Sequence, residues 1–206
     1  MKRVAFAAAT VLSVAVVVAA PAGARQVMST APATAPGAWC GGSLWKLMTL
    51  SDTTNKSVNW APAGTSIGQI AALTAPKKVP TTRTTAFVKQ QWSLTAVIER
   101  YRQQSNGEIV FELYDIPSNM YMNAYLPNPQ CLSTKTRGRA QILAARATFT
   151  SACPAATTDW QTLGTTVQLT GVGFWNPVKT TLGALGNGAE LRPVTGLTVL
   201  QGCGKF

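Results

Sequence analysis

The 206-residue chain contains no histidine, and it has only seven carboxylates beside 18 lysines and arginines. Without imidazole, the chain cannot form a Ser-His-Asp or Cys-His catalytic apparatus or use a histidine metal ligand. It also lacks a CxxC pair, the usual spacing of a cysteine zinc site. We therefore predict no cofactor, no metal site and no catalytic residue. What remains is a binding protein, or an enzyme that works through carboxylates, tyrosine, lysine or arginine.

The few carboxylates are scattered except between Glu108 and Asp115. On a strand, Glu108 and Glu112 share one face, because side chains alternate with a period of two, and Asp115 lies on the other. Such a pair can bind a hard cation or act as acid and base. A solvated strand face followed by a turn-capping aspartate is the commoner arrangement, and we expect that arrangement here.

The amino terminus has the pattern of a secretory signal peptide. Lys2 and Arg3 precede a mostly apolar run, and the small residues Ala22, Gly23 and Ala24 end it. Residues 1–24 are therefore predicted to be cleaved, which makes the protein secreted or extracytoplasmic, with no transmembrane segment in the mature chain. Residues 25–38, rich in proline and threonine, are predicted to be a flexible leader.

The mature chain keeps a strong positive charge. Loss of Lys2 and Arg3 lowers the net charge from +11 to about +9. That excess favours an anionic polymer as partner, such as nucleic acid or an envelope glycan, although generic surface charge explains it equally well.

Four cysteines in an oxidising compartment predict two disulfides, for which three connectivities exist. We favour Cys131 with Cys153, which would clip the two ends of a helix between them. Cys40 with Cys203 would then tie the amino-terminal segment to the carboxyl terminus.

The patterning predicts a mainly β fold with one or two short helices. Residues 39–83 form a packed amino-terminal extension and a basic connection, and regular alternation begins at residue 84. Three strands (87–102, 108–114 and 120–126), a helix (137–149) and two strands (165–174 and 190–200) follow. In the helix, Ala140, Leu143, Ala144 and Ala147 form the expected apolar face. This order predicts that residues 84–206 form an OB-fold-like, five-stranded Greek-key barrel.

In an OB-fold the ligand lies on the face of strands two and three, between two loops. Aromatic and basic side chains expected there suit nucleic acid or sugar, because rings stack and cations meet acidic groups. The tyrosines of the third strand are expected to point outward. The candidate ligand-binding residues are Arg100, Arg102, Tyr114, Tyr121, Tyr125, Trp175, Lys179 and Arg192.

Four tracts resemble a family of uncharacterised secreted bacterial proteins with an OB-like barrel. They are LMTLSDTTNKSVNWAPAGTSIGQIAAL, WSLTAVIERYRQQSNGEIVFELYD, YLPNPQC and, above all, GVGFWNPVKTTLGALGNGAELRPV. In this resemblance Glu190 is kept, whereas relatives carry aspartate at Asn176 and histidine at Val110, Lys179 and Arg192. Relatives also carry an acid at Tyr125. The departures imply binding rather than catalysis in this chain.

Three functions stay open from the sequence. The leading one is a secreted module that binds an anionic or sugar-containing polymer. A phosphodiesterase-like hydrolase would have to rely on Glu112, Asp115, Glu190 and Arg192. An envelope-associated protein-interaction domain, with an unknown protein partner, is the third.

Overall fold

A mixed β-sheet organises the part of the chain that the computed structural model describes, residues 40–42 and 44–204. In that part, the six strands are β1 (Asn59–Gly64), β2 (Gln90–Gln103), β3 (Ile109–Asp115), β4 (Met120–Leu126), β5 (Gln161–Trp175) and β6 (Ala189–Gln201). The three short α-helices of the same residues are α1 (Trp45–Met48), α2 (Ile67–Ala71) and α3 (Arg139–Ala152). The mainly β prediction is confirmed, and these residues contain three short α-helices where one or two were expected. The predicted signal peptide and leader lie outside the described residues.

The strand order is β1-β2-β3-β4-β6-β5, and β2 also pairs with β5. Strands β3 to β6 therefore have two hydrogen-bonded neighbours each, and β2 has three, namely β1, β3 and β5. Strand β2 pairs with β5 along one edge, at residues 91–101. Because it is long, its other edge pairs with β1 at residues 90–93 and with β3 at residues 97–103. The β1–β2 and β4–β6 pairs are parallel, and the others are antiparallel. Helix α3 is the connection between β4 and β5.

The core follows the predicted alternation on β3 and most of β4. Ile109, Phe111 and Leu113 are buried in the main cluster with the β4 residues Met122, Ala124 and Leu126. Helix α3 enters this core with Ala145 and Phe149, and Phe149 packs its ring 4.7 Å from that of Phe111. The predicted helical face was wrong, because Ala140, Ala144 and Ala147 are exposed. The larger side chains Ile142 and Phe149 occupy the buried stripe instead.

The segment before β2 packs onto the sheet. Leu50 and Val58 form a second buried cluster with Leu132, Ile142 and Val172. All described residues belong to one compact unit, Ala35–Phe206. In the described part of the chain, none of the helices has the length and apolar character needed to cross a membrane.

The disulfides join Cys40 to Cys131 and Cys153 to Cys203. The favoured pairing was therefore wrong, although all four cysteines are bonded. The physical reason is the length of α3: its 14 residues extend about 21 Å at 1.5 Å per residue. Cys153 caps the far end of α3, whereas Cys131 lies in the turn Pro129–Cys131 before α3 begins, and a disulfide spans only roughly 7 Å between Cα atoms.

We expect this pairing to be visible in a peptide map of the oxidised protein, with one crosslink from Cys40 to Cys131 and one from Cys153 to Cys203. Replacing Cys153 and Cys203 together by alanine should lower the free energy of unfolding by about 2–4 kcal/mol, because the unfolded chain gains freedom. Urea unfolding measures this loss. A peptide linking Cys131 to Cys153 would contradict the fold around α3.

Candidate functional site

The candidate site lies on the outer face, which we define as the side of β3, β4 and β6 that points away from the main core. Strand register arranges its side chains in rows. Arg100 on β2 pairs with Glu112 on β3, and Glu112 pairs with Asn123 on β4. Ala124 pairs in parallel with Leu191, which brings Asn123 beside Glu190. The neighbouring row contains Val110, Tyr125 and Arg192, and the row on the other side contains Tyr114 and Tyr121.

Arg192 is the centre of a buried charge network. Its guanidinium donates to both carboxylate oxygens of Glu108 and lies 4.2 Å from the ring centre of Tyr125. The third guanidinium nitrogen, Nη1, lies 3.5 Å from Glu190 Oε1. Burial lowers the pKa of Arg192, but the carboxylates of Glu108 and Glu190 outweigh burial, so the pKa is raised. Arg192 therefore stays charged, and its guanidinium is occupied by the carboxylates of Glu108 and Glu190.

Three side chains in the middle row form what we call the acceptor row: Glu112, Asn123 and Glu190. Each is at most 3% exposed, and each has one buried oxygen without a hydrogen-bond partner among the described residues. Burial raises the pKa of Glu112, although Arg100, 3.4 Å away, opposes the shift. Burial raises the pKa of Glu190 to about 7, against the opposing effects of Arg192 and Asn176.

The loop between β5 and β6, residues 176–188, covers the acceptor row. Asn176 begins it by donating to Glu190 Oε2 at 2.9 Å, and Asn187 ends it by donating to backbone carbonyls of Ile70 and Ala71 at the end of α2. Gly183 sits on the row itself: a Cβ at this position would lie 2.8 Å from Glu112 Cγ and 3.0 Å from Asn123 Oδ1. At Gly183 the loop backbone therefore contacts Glu112 and Asn123 directly.

A groove of about 490 Å³ opens where the loop meets the β3–β4 hairpin. Its strand side presents Arg100, Glu112, Asn119, Met120 and Tyr121, and its loop side is residues 182–186. The Tyr121 ring is 37% exposed and packs 4.9 Å from the ring of Tyr114, whose hydroxyl donates to Asn119. The groove thus has a fixed aromatic wall and a basic group at its side.

The eight predicted ligand-binding residues are divided among several places. Arg100 and Tyr121 line the groove, and Tyr114 supports Tyr121. Tyr125 lies on the outer face, as expected, but it is covered there and only 1% exposed. The other four lie apart from the groove: Trp175 is in the core, Arg192 is in the charge network, Arg102 stacks on Trp160, and Lys179 donates to Gly186 within the loop.

The solvated strand face expected for the carboxylates was also wrong. Glu108, Glu112 and Asp115 are all buried. Asp115 accepts from Ser118 at 2.6 Å and lies on the opposite face of β3 from Glu112. Of the four residues that a hydrolase would need, Glu112, Glu190 and Arg192 therefore share the outer face, and Asp115 lies apart from them. Asn123 was not among the predicted site residues. The only sequence feature that could have identified it is its position on the third predicted strand, where its amide faces Glu112 on the second.

Several arginines that contribute to the positive charge of the sequence make hydrogen bonds or ion pairs inside the protein. Arg137 donates to the carbonyls of Asn55 and Val58, and Arg146 donates to those of Leu126, Pro127 and Gly107. Arg83, placed by its sequence in a basic connection, is buried in an ion pair with Asp52 at 3.0 Å. Part of the positive charge of the sequence is therefore paired inside the protein and is not presented to a ligand.

No protein-family model matches the chain, and no curated protein matches it at a significant level of sequence similarity.

We expect Gly183→Ala to destabilise the protein and loosen the loop. Gly183 has φ of +78°, where an alanine costs roughly 1–2 kcal/mol, and its new methyl group would press on Glu112 and Asn123. Urea unfolding and limited proteolysis of the loop measure the two effects. Gly186→Ala is the matched control, because a Cβ there meets no described atom within 4 Å. Equal behaviour of the two variants would show that the loop does not rest on the acceptor row.

We expect the protein to lose stability as the pH rises from about 4.5 to about 7. The raised pKa of Glu190 means that the unfolded chain releases this proton first, so the unfolded state gains relative to the folded state across that window. The loss is on the order of 3 kcal/mol. Glu190→Gln removes it, leaving the smaller contribution of the same sign from Glu112. Unfolding free energies at about pH 5 and pH 8 test this; parallel profiles for the two proteins would contradict it.

Proposed function

We propose that this chain is a secreted, OB-like binding module that holds a sugar-containing polymer in the groove beside Tyr121. The observation that carries the proposal is the groove itself, with a half-exposed tyrosine ring on one wall and Arg100 next to it. Aromatic faces that stack on a ring and a small number of polar groups that fix its orientation are typical of ligand sites.

The strand pairings support the OB-like architecture. From β2 the hydrogen-bonded neighbours run β3, β4, β6, β5 and back to β2, and α3 connects β4 to β5. In an OB-fold, the face of the second and third strands and the loop between the fourth and fifth bind oligonucleotides and oligosaccharides. The equivalent positions here are the outer face of β3 and β4 and the 176–188 loop, which together form the groove.

The charges at the groove favour sugar over a polyphosphate. Arg100 has a side chain that is 43% exposed, but it lies 3.4 Å from the Glu112 carboxylate. Glu99 lies near the Tyr121 hydroxyl, and its carboxylate is the largest cause of the raised pKa of Tyr121. Two carboxylates beside one guanidinium repel phosphate groups, whereas sugar hydroxyls both donate and accept hydrogen bonds. The partner is therefore an envelope glycan rather than a nucleic acid.

An extracytoplasmic location fits this partner. The disulfides Cys40–Cys131 and Cys153–Cys203 are compatible with an oxidising compartment. The apolar run after Lys2 and Arg3 supplies the signal for export. We further propose membership of the secreted bacterial family that the sequence resembles, because its most characteristic tract contains the whole 176–188 loop.

Binding of the purified protein to a neutral polysaccharide, a uronic-acid polysaccharide and a single-stranded oligonucleotide tests the proposal at about 50 and 200 mM salt. We expect at least one polysaccharide to bind with little salt dependence. Tyr121→Ala should weaken that binding about tenfold, through loss of the stacking ring, which corresponds to about 1.4 kcal/mol.

Ile116→Ala is the matched control, since Ile116 is an exposed apolar residue of the same hairpin outside the groove. It should bind as the unchanged protein does. The proposal fails if neither polysaccharide binds, or if Tyr121→Ala and Ile116→Ala bind equally well. Steeply salt-dependent binding of the oligonucleotide alone would instead support the nucleic-acid alternative.

A further inference from the structure

The groove beside Tyr121 presents apolar side chains that the hydroxyl groups of a sugar would leave unused. Met120 on the strand side is 40% exposed, and Leu182 on the loop side is 41% exposed. Ala184 and Leu185 continue the loop side, so this wall consists of aliphatic groups and glycine. Single exposed apolar residues are common on protein surfaces, but these lie together in one groove. The groove therefore fits a ligand that carries a small apolar group.

The loop side also offers backbone groups for hydrogen bonding. In the part of the chain that the structure describes, the N–H and C=O groups of Leu182 and Gly183 make no hydrogen bond. Both residues line the groove. Backbone N–H and C=O groups are strong hydrogen-bonding groups, and each needs a partner when it is removed from water. A ligand that covers this part of the loop must therefore bring both a donor and an acceptor.

Asn119 supplies a further donor on the strand side. It is exposed, it lines the groove, and its Oδ1 accepts from the Tyr114 hydroxyl at 2.9 Å. Because this contact uses the oxygen, the NH₂ group of the same amide is available to a ligand. The groove can therefore donate to a carbonyl oxygen close to the ring of Tyr121.

The charges at the groove favour a neutral ligand over an acidic one. Among the described residues that line the groove, Arg100 is the one cation, and it lies 3.4 Å from the carboxylate of Glu112. Glu99 adds a second carboxylate near the Tyr121 hydroxyl. A sugar carboxylate would be repelled by these two acids, whereas a neutral amide is not.

We propose that the groove recognises a glycan whose sugars carry acetamido groups, an inference that rests on the proposed function and names its sugar class. An acetamido group combines a methyl group, an amide N–H and a carbonyl in one neutral substituent. The methyl group packs against Met120 and Leu182, and the amide bonds to the loop backbone and to Asn119. A hydroxyl at the same place on the sugar buries no methyl group. One buried methyl group and one hydrogen bond together correspond to about tenfold in affinity.

Calorimetric titration of the protein with chitohexaose and with cellohexaose tests the proposal. These oligosaccharides have the same length and linkage, and they differ only in an acetamido group that replaces one hydroxyl on each sugar. We expect chitohexaose to bind about tenfold more tightly. Leu182→Ser should reduce this preference to about threefold by removing an apolar contact, and it should leave cellohexaose binding unchanged. This variant should remain folded, because the Leu182 side chain is exposed.

Val178→Ser is the matched control, because Val178 is an exposed apolar residue of the same 176–188 loop outside the groove. It should keep the full preference for chitohexaose. Co-sedimentation with bacterial peptidoglycan, reversed by added chitohexaose, is expected for an envelope glycan. Binding of chitohexaose without co-sedimentation would support the same acetamido recognition with a chitin-type glycan as its source.

Acetamido recognition is overturned if cellohexaose binds as tightly as chitohexaose, or if Leu182→Ser and Val178→Ser show the same preference. Either result leaves the proposed function intact, because a glycan is still bound. Binding of a uronic-acid polysaccharide without binding of chitohexaose also overturns the acetamido inference alone. If no glycan of any of these kinds binds, the proposed function and the acetamido inference fail together.

Discussion

The buried guanidinium of Arg192 stabilises the contact between β4 and β6, where the sheet has the fewest backbone pairings. Within the described chain, β4 and β6 share a single paired position, Ala124 with Leu191. Arg192 reinforces this seam by lying on the ring of Tyr125 from β4 and by pairing with Glu108, which precedes β3. Removing one partner of such a pair typically costs about 3–5 kcal/mol, because the other charge is left buried. The circuit of strands and the outer face both depend on this contact.

The same network determines the character of the outer face. A face that contains Glu108, Glu190 and Arg192 must either remain hydrated or be covered by polar backbone and side chains, because buried charges need partners. The 176–188 loop covers it, with Asn176 bound to Glu190 and Gly183 resting on Glu112 and Asn123. A groove then remains only at the margin of the loop, beside Tyr121. The position of the candidate site is thus a consequence of how the buried charges are covered.

Local periodicity was enough to predict the elements but not what covers them. The strand at residues 120–126 has the predicted bounds, and the core faces of β3 and most of β4 follow their alternation. Alternation separates two faces but does not say that a loop about 60 residues later will cover the second one, as it covers Tyr125. Periodicity does not determine the disulfide pairing either, because Cys40 and Cys131, 91 positions apart, are brought together only by the tertiary fold. The buried stripe of α3 was ambiguous because alanine lies on several of its faces.

Net charge was the least informative part of the sequence, because it counts arginines wherever they lie. Arg83, Arg137, Arg146 and Arg192 turn their guanidinium groups toward carbonyls or carboxylates, so they contribute little to any surface that meets a ligand. Lys77, Lys78 and Lys135 remain exposed and lie apart from the groove. A polyanion would therefore find dispersed lysines rather than a basic track, and binding to them would discriminate poorly among polymers. At the groove, the Tyr121 ring and the balance between Arg100 and Glu112 decide which ligand is held, and these groups select for shape and hydroxyl geometry.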